Sequence, residues 1–290
     1  MESRRLGRTE HDSAVAILGG AAFWGSTPAE AEAGFAMALE RGCNHLDIAP
    51  EYGAAETVVG PLIPAVRDNL FVACKTTRRN PDGVRAQLAE SMTKLGVDQL
   101  DLYQAHGVIS SADLDERAEA IETMLRAKAE GLTRFVGITG HDFGTPQAQL
   151  TALQRWDLDT IMFPIYPRLW ADTQYRADAE ALLAEAGRRD CGVMVIKAVA
   201  RKPWGDRTPD HGTWYEPWST PWAVERGVRF ALSTPGVHAF CTPSDVDVLA
   251  LALDAADGYE PLDDDARADA VAAMADNDVI FPIAEHAPIR

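Results

Sequence analysis

An acid, a phenol, an amine and an imidazole stand at the ends of short apolar runs: Asp47 in NHLDIAPEYG, Tyr52 five residues later, Lys75 in LFVACKTT and His106 in LDLYQAHGV. Each run has strand character, so three strands and one loop would carry the four groups to a single rim. A tyrosine with a pKa near ~10 delivers a proton at neutral pH only when a nearby cation stabilises its phenolate. Lys75 is the cation at hand, Asp47 can hold its ammonium, and His106 can hydrogen-bond a substrate oxygen opposite the tyrosine. The set suits reduction of a carbonyl. Singly, each residue also has an ordinary reading as a packed tyrosine, a solvated lysine or aspartate, or a structural histidine. Their joint placement after consecutive apolar runs favours chemistry.

The elements that must position them repeat one pattern along the chain: a short apolar run, a loop, then an amphipathic helix. The runs are AVAILGGAAF, HLDIA, LFVACKT, LDLYQAH, RFVGITG, TIMFPIY, GVMVIKAV and HAFCT, eight strands in all. Between them, Thr27-Pro28-Ala29-Glu30 reads as a capping box with proline in the first turn. Asn80-Pro81, Thr145-Pro146 and Thr220-Pro221 repeat the cap-then-proline signal. Val84, Leu88, Met92 and Leu95 share a helix face, as do Ile121, Met124 and Leu125, and Val224, Val228, Ala231 and Leu232. Strict alternation predicts a parallel sheet, and eight units without a break in composition predict a closed (β/α)8 barrel of the TIM type, one α/β domain over residues 1–290. No G-x-G-x-x-G follows the first strand, which argues against a Rossmann domain. Two stretches interrupt the rhythm: a loop at 201–222 with four of the seven tryptophans, and an acidic C-terminal extension at 260–290. Long loops after barrel strands usually build the site.

Composition narrows the partners. Of 290 residues, 44 are acidic and 27 basic, for a formal charge of −17, which disfavours nucleic acid and anionic membrane and leaves a small molecule as the expected partner. Cys43, Cys74, Cys191 and Cys241 lie in or beside apolar runs without C-x-x-C pairing and read as reduced packing residues. The polar start MESRRLGRTEHD does not read as a signal peptide, and no apolar stretch approaches the ~20 residues of a membrane span. A cytoplasmic location is expected. His11, His45, His211, His238 and His286 show no ligand spacing, so no metal is assigned. Oligomeric state is not legible.

RRLGRTEHDSAVAILGGAAF, HLDIAPEYGAAETVVG, FVACKTT, LDLYQAHGV and EGLTRFVGITGH, in that order, resemble the aldo-keto reductase family over most of residues 3–141, with weaker similarity to about residue 254. The resemblance implies an eight-stranded barrel, a bound nicotinamide cofactor, NADP(H) ahead of NAD(H), and a tetrad on Asp47, Tyr52, Lys75 and His106. In it the tyrosine protonates the carbonyl oxygen as hydride arrives, lysine and aspartate tune it, and histidine orients the substrate. The second half departs from the family pattern. Thr139-Gly140-His141 replaces the usual Ser-Asn after the fifth strand, Phe163 stands for glutamine, Ile196 for the stacking tyrosine with Lys197 next to it, and CTPSDVDVLALAL for the arginine-bearing phosphate loop. Cofactor contacts are accordingly expected at Thr139, Phe163, Lys197, Thr242, Ser244 and Asp247, the last near the position of the arginine. Arg201 and Lys202 either meet a phosphate or are solvated surface cations. Trp24 walls the substrate side or plugs the barrel mouth. Trp204, Trp214 and Trp218 line a substrate pocket or pack the loop, and with Trp222 they offer a stacking surface. An apolar, cyclic or aromatic carbonyl compound, or the matching alcohol, is the expected substrate. The alternative is a nicotinamide-binding regulatory barrel with little turnover, reporting redox state to a partner.

Overall fold

The structure, a computed structural model, describes residues 1–281. Eight parallel strands close a barrel: β1 (Ala16–Gly19), β2 (His45–Asp47), β3 (Phe71–Thr76), β4 (Leu100–Ala105), β5 (Thr133–Thr139), β6 (Thr160–Pro164), β7 (Gly192–Ile196) and β8 (Ala239–Cys241), with β8 pairing back onto β1. The main helices are α1 (Pro28–Glu40), α2 (Ala55–Val59), α3 (Pro81–Leu95), α4 (Ala118–Ala129), α5 (Thr145–Arg155), α6 (Thr173–Arg188), α7 (Pro221–Leu232) and α8 (Val246–Asp257), and α9 (Asp264–Ala272) follows. All eight expected strands are present, and the closed sheet follows from their order.

Successive strand residues face opposite sides. Ile17, Phe71, Ala73, Leu102, Met162, Met194, Ile196 and Ala239 fill the barrel interior, while Leu46, Val72, Tyr103, Val136, Ile161, Phe163, Val195 and Phe240 pack outward against the helices. Both strand faces are buried, which is why the runs are continuously apolar rather than alternating. The same alternation turns Asp47, Lys75 and Gln104 inward near the carboxyl end of their strands. At the amino end the hairpin Ser3–Arg5 with Asp12–Ala14 closes the barrel and drives Leu6 into its interior. Gly7 there has φ 50°, and a side chain at that position would fall on the backbone of Asp190 to Gly192.

The capping signals hold with local differences. Thr27 and Glu30 form the capping box of α1, and Asn80 accepts from Gly83 N at 2.8 Å to cap α3. Thr145 is instead the first residue of α5, its hydroxyl oxygen accepting from Asp142 N at 3.0 Å, because a tight turn at Asp142 starts the helix one residue earlier. Thr220 is the N-cap of α7 without a side-chain bond. The β2–β3 connection holds only the short α2 and 3-10 turns, so that crossover lacks a full-length helix. The tryptophan-rich loop is partly ordered by a ladder pairing Ala200–Lys202 with Glu216–Pro217. Of the C-terminal extension, residues 282–290 lie outside the described residues.

Candidate active site

A cleft of about 560 Å³ opens at the carboxyl end of the barrel, and Asp47, Tyr52, Lys75 and His106 all line it. β2 and β3 bring Asp47 and Lys75 inward on neighbouring strands, where the Lys75 ammonium donates to Asp47 Oδ2. It also donates to Tyr52 Oη at 3.1 Å and reaches Ile48 O at 3.4 Å, so all three of its hydrogens have acceptors. Asp47 Oδ1 accepts from Gln104 Nε2 at 2.9 Å. The acid is thus held by two donors from separate strands and fixes the amine in turn. Gly53, at φ 55°, lets the chain turn after Tyr52; a side chain there would collide with the Trp24 carbonyl and indole. The Tyr52–Gly53 pair and Trp24 are therefore packed as one unit.

Burial pushes the Tyr52 phenol up, Lys75 pulls it down and Asp47 pushes it up again; the result lies above the ordinary value. The hydroxyl is protonated at neutral pH and available as a donor. Burial opposes the charge on Lys75, but Asp47 and Tyr52 outweigh it and hold the ammonium above its usual range. His106 stands with its ring 5.8 Å from that of Tyr52, edge to face. Its Nδ1 lies 3.4 Å from Glu51 Oε2. Glu51 also accepts from Thr77 Oγ1 at 2.7 Å and from Gln87 Nε2 at 3.3 Å. Burial would raise the Glu51 carboxyl, yet the bonds from His106 and Thr77 bring it down to about 2. Burial lowers His106 despite Glu51, so the ring is neutral at pH 7 with Nδ1 donating to the ionised carboxylate. Nε2 is left for a ligand.

The remaining expected positions divide. Trp24, Lys197, Trp214, Thr242 and Ser244 line the cleft. Phe163 does not: its side chain points outward into the layer between barrel and helices, and the preceding residue, Met162, faces the cleft. The one-residue offset follows from strand alternation. Thr139 is buried at the end of β5 with its oxygen 3.4 Å from Gly107 N. Arg201 and Lys202 both pair with Glu216, which also takes Arg207, so neither cation is free. Trp204 is buried in its own loop, donating to Thr213 O at 2.7 Å, and Trp218 lies under the Arg201 guanidinium, 4.8 Å from its ring. Trp222 is 63% exposed. Of this loop's tryptophans only Trp214 lines the cleft, together with Gly212 and Tyr215. Asp247 is exposed on the first turn of α8, and Asp245 is the residue that caps that helix while accepting from Gly212 N at 2.8 Å.

Glu51, Gln104, Met162 and Arg117 are among the residues of this cleft region not singled out from the sequence, and His141 was noted only as a departure from the family pattern. Polar groups of inward parity at strand ends, as in Gln104, were the available signal; Arg117, held by Asp113, reaches the cleft from a connection no local pattern marks. Among the described residues no group of three or more His, Cys, Asp or Glu could hold a metal ion. No described helix is long and apolar enough to cross a membrane.

A parallel eight-stranded barrel with acid, amine and phenol joined at its carboxyl end is a (β/α)8 barrel carrying its polar cluster at the rim where such barrels build their sites. The model of the Aldo/keto reductase family matches residues 16–199, and the chain belongs to that family. It is 32% identical to the uncharacterized oxidoreductase YqkF of Bacillus subtilis over 153 residues, 48% of this chain and 49% of that protein. It is 31% identical to the methylglyoxal reductase DkgA of Salmonella typhimurium over 121 residues, 41% and 43% of the two chains. These matches span about half the length of those relatives or less. Among solved structures, the holo form of an aldo-keto reductase from Bacillus halodurans superposes with a TM-score of 0.73 at 21% identity, covering 94% of this chain and 96% of that one. An aldo-keto reductase from Klebsiella pneumoniae in complex with NADPH gives 0.68 at 21% identity, covering 94% and 95%. The likeness at this identity concerns the fold.

Proposed function

We propose that the protein is a nicotinamide-dependent oxidoreductase that reduces an aldehyde or ketone to an alcohol, or runs the reverse reaction, with Tyr52 as the proton donor and acceptor. One observation carries this reading: Lys75, locked by buried Asp47, donates a hydrogen bond to the Tyr52 oxygen at the wall of the cleft. Because Lys75 supplies the hydrogen of that contact, the phenolic proton is free to point toward a ligand oxygen. Burial keeps the phenol neutral until it is used, and the fixed ammonium stabilises the phenolate left behind. Asp47 and Gln104 keep Lys75 from reorienting as charge moves. Glu51 holds the His106 ring at Nδ1, which leaves Nε2 as an acceptor for the hydroxyl of the alcohol formed or consumed at the ligand oxygen.

The cleft suits a nicotinamide cofactor. Met162 and Ile196 form an apolar floor, and Thr242 and Ser244 offer hydroxyls, which together would hold the nicotinamide half and its ribose. When bound, such a cofactor supplies or accepts the hydride. A solved relative in complex with NADPH supports NADP(H), while the carboxylates of Asp245 and Asp247 at α8, with Arg201 and Lys202 bound to Glu216, support use of NAD(H) as well. A small carbonyl compound is the substrate, and the apolar walls with Trp24 and Trp214 favour a flat or cyclic one.

Titrating NADPH and NADH against intrinsic tryptophan fluorescence, then following loss of reduced cofactor on a panel of aldehydes and ketones, tests the reading. Tyr52→Phe is expected to lower the rate of reduction by about 10²–10⁴-fold while cofactor affinity stays within a few fold, since it removes a transferable proton and keeps the ring. Equal rates in variant and parent would remove Tyr52 from the chemistry. Cofactor binding with no turnover on any carbonyl would favour the regulatory reading instead.

A further inference from the structure

Lys197 is the basic residue in the cleft that nothing in the proposed proton transfer uses. It follows β7 with φ 69°, a backbone conformation sparsely populated for any residue bearing a Cβ, so its surroundings must impose it. Its ammonium lies 4.5 Å from the Trp214 ring centroid and 5.7 Å from that of Tyr215, and its Nζ is 3.5 Å from His141 Nδ1. The other cations lining or flanking the cleft have acid partners: Lys75 has Asp47, Arg117 has Asp113, and Arg201 and Lys202 share Glu216. Among the described residues Lys197 has none. The groups facing it are aromatic or neutral, His141 from the loop after β5, Trp214 and Tyr215 from the long loop and Cys241 from β8, with Lys75 of β3 a further charge acting on it.

We propose that Lys197, backed by His141 and Trp214, is an anion-recognition corner of the cleft, and that the carbonyl substrate carries a carboxylate that binds there. The inference rests on the reductase reading above and narrows it to oxo acids. A single ammonium beside a neutral imidazole matches a monoanion; a phosphate or pyrophosphate is normally met by several cations or by a row of backbone N–H groups. The corner also lies on the side of the reacting groups. The His141 ring is 5.4 Å from the His106 ring, which in turn meets Tyr52, so Lys197 stands one imidazole removed from the histidine that orients the substrate oxygen. An unpaired ammonium in an apolar wall is costly, and a carboxylate is the group that relieves that cost.

Burial draws Lys197 down to about 7, with Cys241 raising and Lys75 lowering it, so the free enzyme changes charge there near neutrality. The sign follows directly. Carboxylate binding needs the protonated amine, so recognition is strong below about 7 and declines as pH rises above it.

The experiment compares matched probes in the full-length enzyme: 4-carboxybenzaldehyde with its methyl ester, and 4-oxobutanoate with its methyl ester. The parent is expected to show a higher kcat/KM for each acid than for its ester, and that preference is expected to shrink as pH is raised from 6 to 8.5. Lys197→Met should lower kcat/KM for the acids roughly ten- to hundredfold more than for the esters, the scale of one charged hydrogen bond, while NADPH and NADH dissociation constants move much less. If Lys197→Met does not fold, the acid-to-ester ratio of the parent and its pH profile decide the matter alone. A parent that reduces the esters as well as the acids overturns the inference and leaves the reductase reading standing. A Lys197→Met effect confined to cofactor affinity also overturns it, and assigns the amine to a cofactor phosphate. No reduction of any probe with cofactor bound overturns both readings.

Discussion

Tyr52 shows how one side chain acquires a role from its neighbours. Alone, a buried phenol is a weaker acid than in water, because its ionised form loses solvation. In the proposed reaction Lys75 changes the balance at the moment of transfer, since its ammonium already points at the oxygen that would become negative. Asp47 keeps that ammonium charged, and Gln104 keeps Asp47 in place. Glu51 does the equivalent work for His106. An ionised carboxylate at Nδ1 fixes both the tautomer and the ring plane, so in the proposed reaction Nε2 accepts from the alcohol hydroxyl in one orientation only. His106→Ala is therefore expected to cost on the order of 10²-fold in kcat, the scale of losing one positioned polar partner, with a smaller change in cofactor affinity. Unchanged kinetics in His106→Ala would make the imidazole a packing residue. The grouping was legible because Asp47, Lys75 and His106 end apolar runs and Tyr52 follows the first of them by five residues; Glu51 was not, since the residue before a tyrosine in a loop carries no period that says where it points.

At the scale of elements, the cofactor question turns on α8 and the loop before it. A helix N-terminus attracts anions through its free N–H groups and its dipole. Here Asp245 already takes that place, accepting from Asp247 N at 3.1 Å and Val248 N at 3.0 Å, and its other oxygen holds Gly212 of the long loop. The 201–222 loop is thereby tied to the β8–α8 connection. Asp247, two residues on in the same first turn and exposed, adds a second negative charge where the family resemblance implies an arginine. A 2′-phosphate carries close to two negative charges and needs arginine or lysine opposite it. Asp247→Arg is thus expected to shift the ratio of NADPH to NADH dissociation constants by roughly tenfold toward NADPH, about 1.4 kcal/mol. An unchanged ratio, or a parent that already selects NADPH by several orders of magnitude, would leave Asp247 as a solvated residue without influence on cofactor choice.

The whole molecule carries a set of buried imidazoles whose titration couples to folding. Burial holds His45 and His141 well below the ordinary histidine value, lowers His106 and His238, and draws His11 down to about 4. Unfolded, each titrates near ~6.5. The unfolded chain therefore binds more protons than the folded one below that pH, so the stability gained by keeping them neutral is intact above about 6.5 and is lost as pH falls toward the folded values. The melting temperature is expected to fall steadily between pH 6.5 and 4, and His11→Phe, which keeps the stack on Phe71 at 4.4 Å, should soften that slope. A flat melting profile over that range would mean that these rings are charged in the folded state. The eight strands, the closed barrel and the grouping of Asp47, Tyr52, Lys75 and His106 at one rim were legible in the amino-acid sequence, because period, capping residues and the ends of apolar runs are local and a barrel rim converts strand ends into proximity. Strand direction alone does not say which of two adjacent residues faces the cleft, so Phe163 was read where Met162 lies. Nor does a run of basic residues reveal its acid partners. Only the tertiary structure showed that Glu216 occupies Arg201 and Lys202, that Trp204 and Trp218 pack within their own loop, and that Lys197 has no acid partner among the described residues, since each of these depends on contacts between segments whose positions no local pattern fixes.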